Sequence, residues 1–308
     1  RSLKINKHAA LYDLSLNASE WSGEINGELI WRRNLLSKEL VNSMAESFKR
    51  LIENVVANPQ HSIDMAIWVD ARDIALQDSW NNTCVVRDEL PYLHHYIEKT
   101  AELYPDTIAV RFNDEDLNYR ALNGKANQLA HYLRQHNQKP FIGVYLERSL
   151  QLPITLLAIL KAGFAYLPLD TSYPAERLAN IIQDAGLSHI IVDGSTESNS
   201  LPNNITKLHL DNDSAEIAKF SCDNIVLLEE NAALFNLIYT SGSSGKPKGV
   251  VVSHKAMINR LLWMQEEFPI TASDRILHKT PYSFDVSVWE IFWPLMHGAQ
   301  LVIAPMQE

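Results

Sequence analysis

The chain has 308 residues, of which 46% are apolar and 21% charged, and its formal net charge is −10. These proportions are typical of a globular protein of about two domains, and the acidic balance excludes the basic face that a nucleic-acid partner requires. The longest apolar run, residues 152–160, is too short to span a bilayer, and Cys84 and Cys222 lack metal-ligand spacing. We therefore predict a cytoplasmic protein with no membrane partner and no metal ligands of its own.

The first sixty residues predict a β-hairpin followed by a helix. Residues 11–16 and 25–31 alternate apolar and polar side chains around a turn at Ser22 and Gly23. Residues 37–56 predict a helix that ends before Pro59. Its apolar residues form one stripe: Leu40, Met44, Phe48, Leu51, Ile52 and Val55. Residues 59–100 are interpreted as a connector in which residues 88–103 are partly helical.

From about residue 101 the pattern alternates between strands and helices. The predicted strands are 142–146, 165–169, 189–192 and 301–304, and the predicted helices are 122–133, 150–162 and 172–186. Residues 194–206 are polar and are predicted to form a surface loop. The alternation predicts an α/β fold with mostly parallel sheets and helices on both faces. Ligands of such sheets lie beyond the carboxyl ends of the strands.

One loop between two predicted strands combines hydroxyls, glycines and lysine. It follows residues 235–239, precedes residues 250–252, and comprises Thr240, Ser241, Gly242, Ser243, Ser244, Gly245, Lys246, Pro247, Lys248 and Gly249. Backbone N–H groups, hydroxyls and a cation can together bind a polyphosphate. Composition alone favours an ordinary loop. The P-loop pattern is excluded, because Pro247 stands where that loop needs a metal-binding serine or threonine.

A second candidate site lies at the start of a helix predicted from about Asp285 to Gly298. Asp285 and Trp289 are four residues apart and share one helix face, and Val286 adjoins that face. A carboxylate beside apolar side chains could bind an ammonium group. The alternative is that Asp285 caps the helix while Trp289 belongs to the core, and spacing alone favours this alternative.

Both segments resemble motifs of a known family. The run from Tyr239 to Gly249 matches the pattern Y-T-S-G-[ST]-[ST]-G-x-P-K-G of the phosphate-binding loop in the adenylate-forming superfamily. The run Phe-Asp-x-Ser-x-Trp-Glu at residues 284–290 is similar to the pocket segment of amino-acid adenylation domains in nonribosomal peptide synthetases. Residues 160–178 resemble an early structural motif of the same domains, and residues 11–83 resemble the end of a condensation domain with its linker.

The resemblance implies three segments: residues 1–75 as the C-terminal part of a condensation-like α+β domain, 76–100 as a linker, and 101–308 as the N-terminal part of an adenylation domain. It implies that Thr240, Ser241, Gly242, Ser243, Ser244, Gly245 and Lys248 contact the phosphates of ATP. Lys248 would be the catalytic cation, Asp285 would pair with the substrate ammonium, and Val286 and Trp289 would form the pocket wall. Mg²⁺ and a phosphopantetheine thiol on a carrier domain complete the implied chemistry.

Several elements of the family are not in the 308 residues, so we expect the isolated chain to be inactive or nearly so. The Asp-Val-Trp sequence that begins the pocket is shared by domains that select serine, among others. Two alternatives stay open from the sequence: an acyl- or aryl-CoA ligase of the same superfamily, and a non-catalytic fragment that contacts neighbouring domains.

Overall fold

A computed structural model describes residues 10–62, 69, 71–194, 200–227, 233–240 and 247–305. The chain divides into two compact units, Arg1–Arg87 and Asp88–Glu308. Within the described ranges, no helix is both long enough and apolar enough to cross a membrane.

The first unit begins with the predicted hairpin. Strand β1 (Leu14–Trp21) pairs antiparallel with β2 (Glu24–Trp31). The turn residues Ser22 and Gly23 both have positive φ, 54° and 80°, as a type I′ turn requires. Helix α1 (Lys38–Ala57) begins at Ser37, whose hydroxyl accepts a hydrogen bond from the Leu40 N–H at 3.2 Å. The predictions of a hairpin and a helix are confirmed, although β1 extends beyond residue 16.

A second helix, α2 (Ala71–Asn81), forms where the sequence predicted only a connector. Of its larger apolar residues, only Leu76 and Trp80 share a helix face, Ile74 lies on a different one, and all three are exposed. A helix without an apolar stripe gives no periodic signal, which explains why it was missed.

The apolar stripe of α1 is confirmed as a stripe but is largely exposed to solvent. Five of its members, Leu40, Met44, Phe48, Ile52 and Val55, are each 42–48% exposed. Together with the facing side chains of β1 and β2, part of this stripe lines a cavity of about 710 Å³. The first unit therefore has a substantial apolar surface that the described residues do not cover.

The second unit contains the remaining elements. In chain order they are α3 (Leu93–Leu103), β3 (Ile108–Phe112), β4 (Glu115–Asn118), α4 (Tyr119–His136), β5 (Phe141–Tyr145), α5 (Gln151–Lys161), β6 (Ala165–Pro168), α6 (Ala175–Asp184), β7 (His189–Val192), β8 (Thr206–His209), α7 (Ser214–Ile217), β9 (Leu234–Thr240), β10 (Lys248–Ser253), α8 (His254–Glu267), β11 (Arg275–His278), α9 (Val286–Met296) and β12 (Gln300–Ile303).

The strands form two sheets. The first has the order β10-β9-β6-β5-β7-β8 and is parallel except for the β10–β9 pair. The second has the order β11-β12-β3-β4 and is parallel except for the β3–β4 pair. The predicted mostly parallel α/β fold is confirmed.

Side chains on opposite faces of the six-stranded sheet belong to different cores. Val144, Tyr166 and Ile191 belong to the larger core, which also includes residues of α4, α5 and α9. Their chain neighbours Tyr145, Leu167 and Val192 belong to a second core with Leu178 and Ile181 of α6. Because successive strand residues point to opposite faces, helices cover both faces of this sheet.

Four strands were not predicted individually: β3, β4, β8 and β11. Each is only four or five residues long, and β4 (Glu115–Asn118) contains one apolar residue, too few for an alternating pattern. In the predicted surface loop at residues 194–206, Leu201 and Ile205 are buried in the second core. The predicted surface position is therefore wrong for these two residues, whose apolar side chains share the second core with Ile190 and Val192 of β7.

Two histidines are buried in the larger core. His94 is fully buried, and neither ring nitrogen has a hydrogen-bond partner among the described residues. His254 Nδ1 accepts a hydrogen bond from the Leu93 N–H at 3.1 Å. Burial, reinforced by the positive charge of Lys161, holds the pKa of His94 well below its usual range. Burial lowers the pKa of His254 to about 4, and nearby His95 adds to that shift.

We expect these histidines to make the second unit acid-sensitive. Because the folded pKa of His254 is lower than the unfolded value of 6.5, its neutral form stabilises the fold fully above pH ~6.5. That contribution, about 3 kcal/mol, is lost progressively as the pH falls from ~6.5 to ~4. Urea unfolding at several pH values measures it.

A matched pair of variants tests the assignment. His254→Gln keeps an oxygen that can accept the Leu93 N–H but cannot titrate, so it should flatten the pH profile. His61→Gln changes an exposed histidine of the first unit and should leave the profile unaltered. Equal unfolding free energies of the unsubstituted chain across this pH range would contradict the prediction.

Candidate functional site

The predicted phosphate-binding loop connects two antiparallel strands at the edge of the six-stranded sheet. Strand β9 ends at Thr240, β10 begins at Lys248, and these two residues pair directly. The loop residues Ser241, Gly242, Ser243, Ser244 and Gly245, with Lys246, lie outside the described residues. The structure therefore describes Thr240 and Lys248 among the predicted phosphate-contacting residues.

Strand parity places Thr240 and Lys248 on the face of the larger core. Ile238 belongs to that core, and Thr240 lies two residues further along β9 on the same face. Lys248 is directly opposite Thr240, so both side chains share that face. Helix α9 contributes Val288 and Ile291 to the same core. The lysine and α9 therefore lie on the same side of the sheet.

Lys248 has the properties of a cation available to a ligand. Its side chain is exposed, as is that of Thr240. Within the described ranges it has no hydrogen-bond or ion-pair partner. A free ammonium beside a hydroxyl can offset the charge of a polyphosphate, so the described part of the loop fits the triphosphate of ATP.

The opposite face of the hairpin is anchored to α6. The Tyr239 hydroxyl donates a hydrogen bond to Asp184 at 2.5 Å, and burial raises the pKa of this hydroxyl. Gly249 lies across from Tyr239. A Cβ at Gly249 would lie 2.8 Å from Leu237 Cδ1 and 3.1 Å from Tyr239 Cζ. A side chain at residue 249 would therefore fit only if Leu237 and the tyrosine ring shifted.

We expect Gly249→Ala to destabilise the second unit by roughly 1–3 kcal/mol, the usual cost of overpacking. The added methyl group must displace Leu237 or the Tyr239 ring, and the ring is held by Asp184. Denaturant unfolding measures the change. Gly124→Ala is the matched control, because its Cβ would meet only Cys222 at an ordinary 3.7 Å and the position is inside α4. Equal stability of the two variants would contradict the explanation.

The second predicted site lies at the N-terminus of α9. Asp285 occupies the N-cap position, but its side chain makes no capping hydrogen bond. The alternative that Asp285 caps the helix, which spacing alone favoured, is therefore wrong, whereas its second part, that Trp289 packs against the core, is confirmed. Asp285 is exposed, Val286 is 44% exposed, and Trp289 is partly buried against the larger core. A carboxylate not used in capping, beside apolar side chains, can accept a ligand's ammonium hydrogens.

The segment before α9 connects this carboxylate to the sheet. The Tyr282 hydroxyl lies 2.9 Å from the Val144 carbonyl oxygen and 3.0 Å from that of Leu169, at the ends of β5 and β6. Ser283 Oγ donates a hydrogen bond to Asp170 Oδ2 at 2.9 Å. Asp285 is therefore held two residues from a contact at the carboxyl end of β6.

The same sheet edge carries the end of β9. Strands β6 and β9 are parallel neighbours with Tyr166 opposite Asn236, so Asp170 and Thr240 lie four residues further at the same level. The two predicted sites are thus brought to one edge of the sheet, where ligands of parallel sheets bind. No local sequence pattern indicates a role for Asp170, Tyr282 or Asp184. The Ser-Phe-Asp segment is visible in the sequence, but Asp170, which accepts the hydrogen bond from Ser283, is more than a hundred residues away.

The family model of AMP-binding enzymes matches residues 97–308, and the chain belongs to this family. The chain is similar to tyrocidine synthase 3 of Brevibacillus parabrevis, with 38% identity over 311 residues, 95% of this chain and 4% of that protein. It is also similar to zwittermicin A synthase ZmaJ of Bacillus cereus, with 43% identity over 216 residues, 66% of this chain and 39% of that protein. The chain therefore spans less than half the length of each of these relatives.

Solved structures show the same fold. The nonribosomal peptide synthetase FmoA3 in its α-methyl-L-serine-AMP-bound form gives a TM-score of 0.83 at 26% identity, covering 98% of this chain and 34% of that one. Its AMPPNP-bound form gives the same TM-score at 27% identity, covering 96% and 32%. The similarity thus includes residues before the family match, which begins at residue 97.

Proposed function

We propose that this chain is part of a nonribosomal peptide synthetase module that activates an amino acid with ATP. The observation that carries the proposal is the placement of two complementary groups at one sheet edge. Lys248 offers a cation for phosphates, and Asp285 offers a carboxylate for an α-ammonium. The relatives are peptide synthases, and an amino-acyl adenylate occupies one of the similar structures.

The proposed reaction joins an oxygen of the amino-acid carboxylate to the α-phosphorus of ATP and releases pyrophosphate. Lys248 stabilises the negative charge that develops on the departing phosphates, and the hydroxyl of Thr240 is placed to donate to them. Asp285 pairs with the ammonium group of the amino acid and so orients this substrate. The reacting carboxylate of the amino acid then faces the nucleotide. Mg²⁺ would enter with the ATP phosphates and neutralise part of their charge.

We propose that the aminoacyl group then passes to a phosphopantetheine thiol on a peptidyl carrier domain. Residues 1–75 would be the C-terminal part of a condensation-like domain, 76–100 a linker, and 101–308 the N-terminal part of the adenylation domain. The exposed apolar face of α1 supports a partner for the first unit. The proposed location is the cytoplasm, where ATP and the carrier thiol are available.

Amino-acid-dependent exchange between ATP and labelled pyrophosphate tests the proposal. In the full-length protein containing this chain, we expect exchange with at least one α-amino acid from a panel that includes serine. The 308-residue chain alone should show little exchange. Exchange supported by carboxylic acids without an amine would instead favour an acyl- or aryl-CoA ligase. No exchange and no ATP binding by calorimetry would favour a non-catalytic fragment.

A further inference from the structure

A buried carboxylate in α9 organises the segment that leads to Asp285. Glu290 is buried, and its Oε2 atom accepts hydrogen bonds from the backbone N–H groups of Lys279 and Thr280, both at 3.1 Å. Its Oε1 atom accepts from the Thr280 hydroxyl at 2.6 Å. His278 Nδ1 lies 2.8 Å from Oε2. One side chain thus holds three consecutive residues, the last of β11 and the two that follow it.

The protonation states are consistent with this arrangement. Burial lowers the pKa of His278, so its ring is neutral at pH 7, and Nδ1 carries the proton that it donates to Glu290. Burial alone would raise the pKa of Glu290, but hydrogen bonds from Thr280 and His278 outweigh it and lower the pKa. The carboxylate is therefore ionised and satisfied by donors.

Glu290 cannot itself contact a substrate that binds at Asp285. The two residues are five positions apart, so they project from the helix about 140° apart. Glu290 faces the interior, whereas Asp285 is exposed. Its influence on the site must pass through the segment that it holds.

That segment runs from Lys279 to Asp285, and hydrogen bonds hold both its first and its second half. Glu290 holds Lys279 and Thr280, and the contacts of Tyr282 and Ser283 hold the second half against β5 and β6. The Lys279 carbonyl also accepts a hydrogen bond from Arg148. Asp285 ends the segment, and its carboxylate makes no hydrogen bond among the described residues that would fix the position of the side chain.

We propose that Glu290 is a positioning residue that holds the segment from Lys279 to Asp285 so that the Asp285 carboxylate meets the substrate ammonium. This inference rests on the proposed function. A displacement of about 1 Å in such a group can cost on the order of 100-fold in rate. Glu290→Gln keeps the shape of the side chain but replaces one carboxylate oxygen by an NH₂ group. At least one of the groups that donate to Glu290 then loses its acceptor.

Hydrogen exchange tests the anchor without any activity assay. In the 308-residue chain, Glu290→Gln should speed amide exchange at Lys279 and Thr280 by about tenfold or more, since a net bond to a charged group contributes about 1.5–3 kcal/mol. Glu267→Gln, at the exposed end of α8, is the matched control and should change neither amide. Unchanged protection at both amides in Glu290→Gln would overturn the anchoring role.

Kinetics in the full-length protein test the consequence for the substrate. Glu290→Gln should raise the amino-acid KM by about tenfold and leave the ATP KM unchanged. Thr280→Val, which removes the hydroxyl donor, should do the same more weakly, and Thr280→Ser should restore the original KM. A merely structural loss would move both KM values together.

The outcomes separate the two proposals. An active unsubstituted protein whose amino-acid KM does not respond to Glu290→Gln overturns the positioning role and leaves the proposed function standing. An unsubstituted protein without amino-acid-dependent exchange overturns the proposed function and with it the substrate part of this inference. Hydrogen exchange then still decides whether Glu290 anchors the segment.

Discussion

Replacing Asp285 by alanine is expected to raise the amino-acid KM of the full-length protein by at least about 30-fold. Removing one partner of a buried, hydrogen-bonded charge pair costs roughly 2–5 kcal/mol, because the remaining charge loses its counter-charge. The Asp285 carboxylate is exposed here, and we expect the bound amino acid to cover it. The carboxylate has no capping duty in α9, so the helix itself should be little affected. Pyrophosphate exchange as a function of amino-acid concentration measures the effect, and the ATP KM should stay the same.

Two controls separate recognition of the ammonium from general damage. Glu102→Gln removes an exposed carboxylate on α3 and should leave both KM values unchanged. A carboxylic acid that lacks the α-amine should bind the Asp285→Ala variant and the unsubstituted protein about equally, since it makes no contact that the substitution removes. An amino-acid KM that Asp285→Ala leaves unaltered would exclude Asp285 as the ammonium partner.

Replacing Lys248 by glutamine is expected to lower the exchange rate at saturating substrates by about 100- to 1000-fold. A preorganised donor that stabilises developing charge contributes roughly 3–4 kcal/mol to the barrier reduction. Lys248 shares a sheet face with Thr240, and its ammonium group has no ion-pair partner among the described residues. Its charge is therefore available to the phosphates. The maximal exchange rate at saturating ATP and amino acid measures the loss.

The matched control for this variant is Lys255→Gln, because it removes the same charge from an exposed residue close in sequence, on α8. Its exchange rate should remain within a factor of about two, as expected for a solvated surface charge. If both variants lose activity equally, the effect comes from net charge near the site. In that case Lys248 has no special role in catalysis.

Much of the fold could be predicted because the information was local. The turn at Ser22 and Gly23 and the helix start at Ser37 each depend on a few neighbouring residues. So do the ends of α5 and α6, each followed by a glycine with positive φ, Gly163 and Gly186. Apolar runs predicted strands such as β5 and β7. The elements that were missed, including α2 and β4, lack periodic apolar residues, so no local pattern distinguished them from connectors.

The candidate site likewise has one part that local sequence predicted and another that it did not. The serine- and glycine-rich loop and the Phe-Asp-x-Ser-x-Trp-Glu segment were visible as motifs, and their likeness to a family suggested roles for Lys248 and Asp285. Spacing alone favoured helix capping by Asp285, but in the structure its carboxylate makes no capping hydrogen bond. Local sequence cannot settle that question, because the geometry of Asp285 depends on where Tyr282 and Ser283 are anchored.

The sequence by itself determined the alternation of strands and helices, the polar and glycine-rich character of the loop at residues 240–249, and the likeness to the family. Each of these depends only on residues that are close together in the chain. Only the tertiary structure brought Asp170 to Ser283, Asp184 to Tyr239 and Glu290 to Thr280. The first two of these contacts join residues on elements far apart in the chain. The third closes a loop between a strand and a helix. Strand parity, which places Lys248 and Thr240 on the side of α9, likewise emerged only from the observed register.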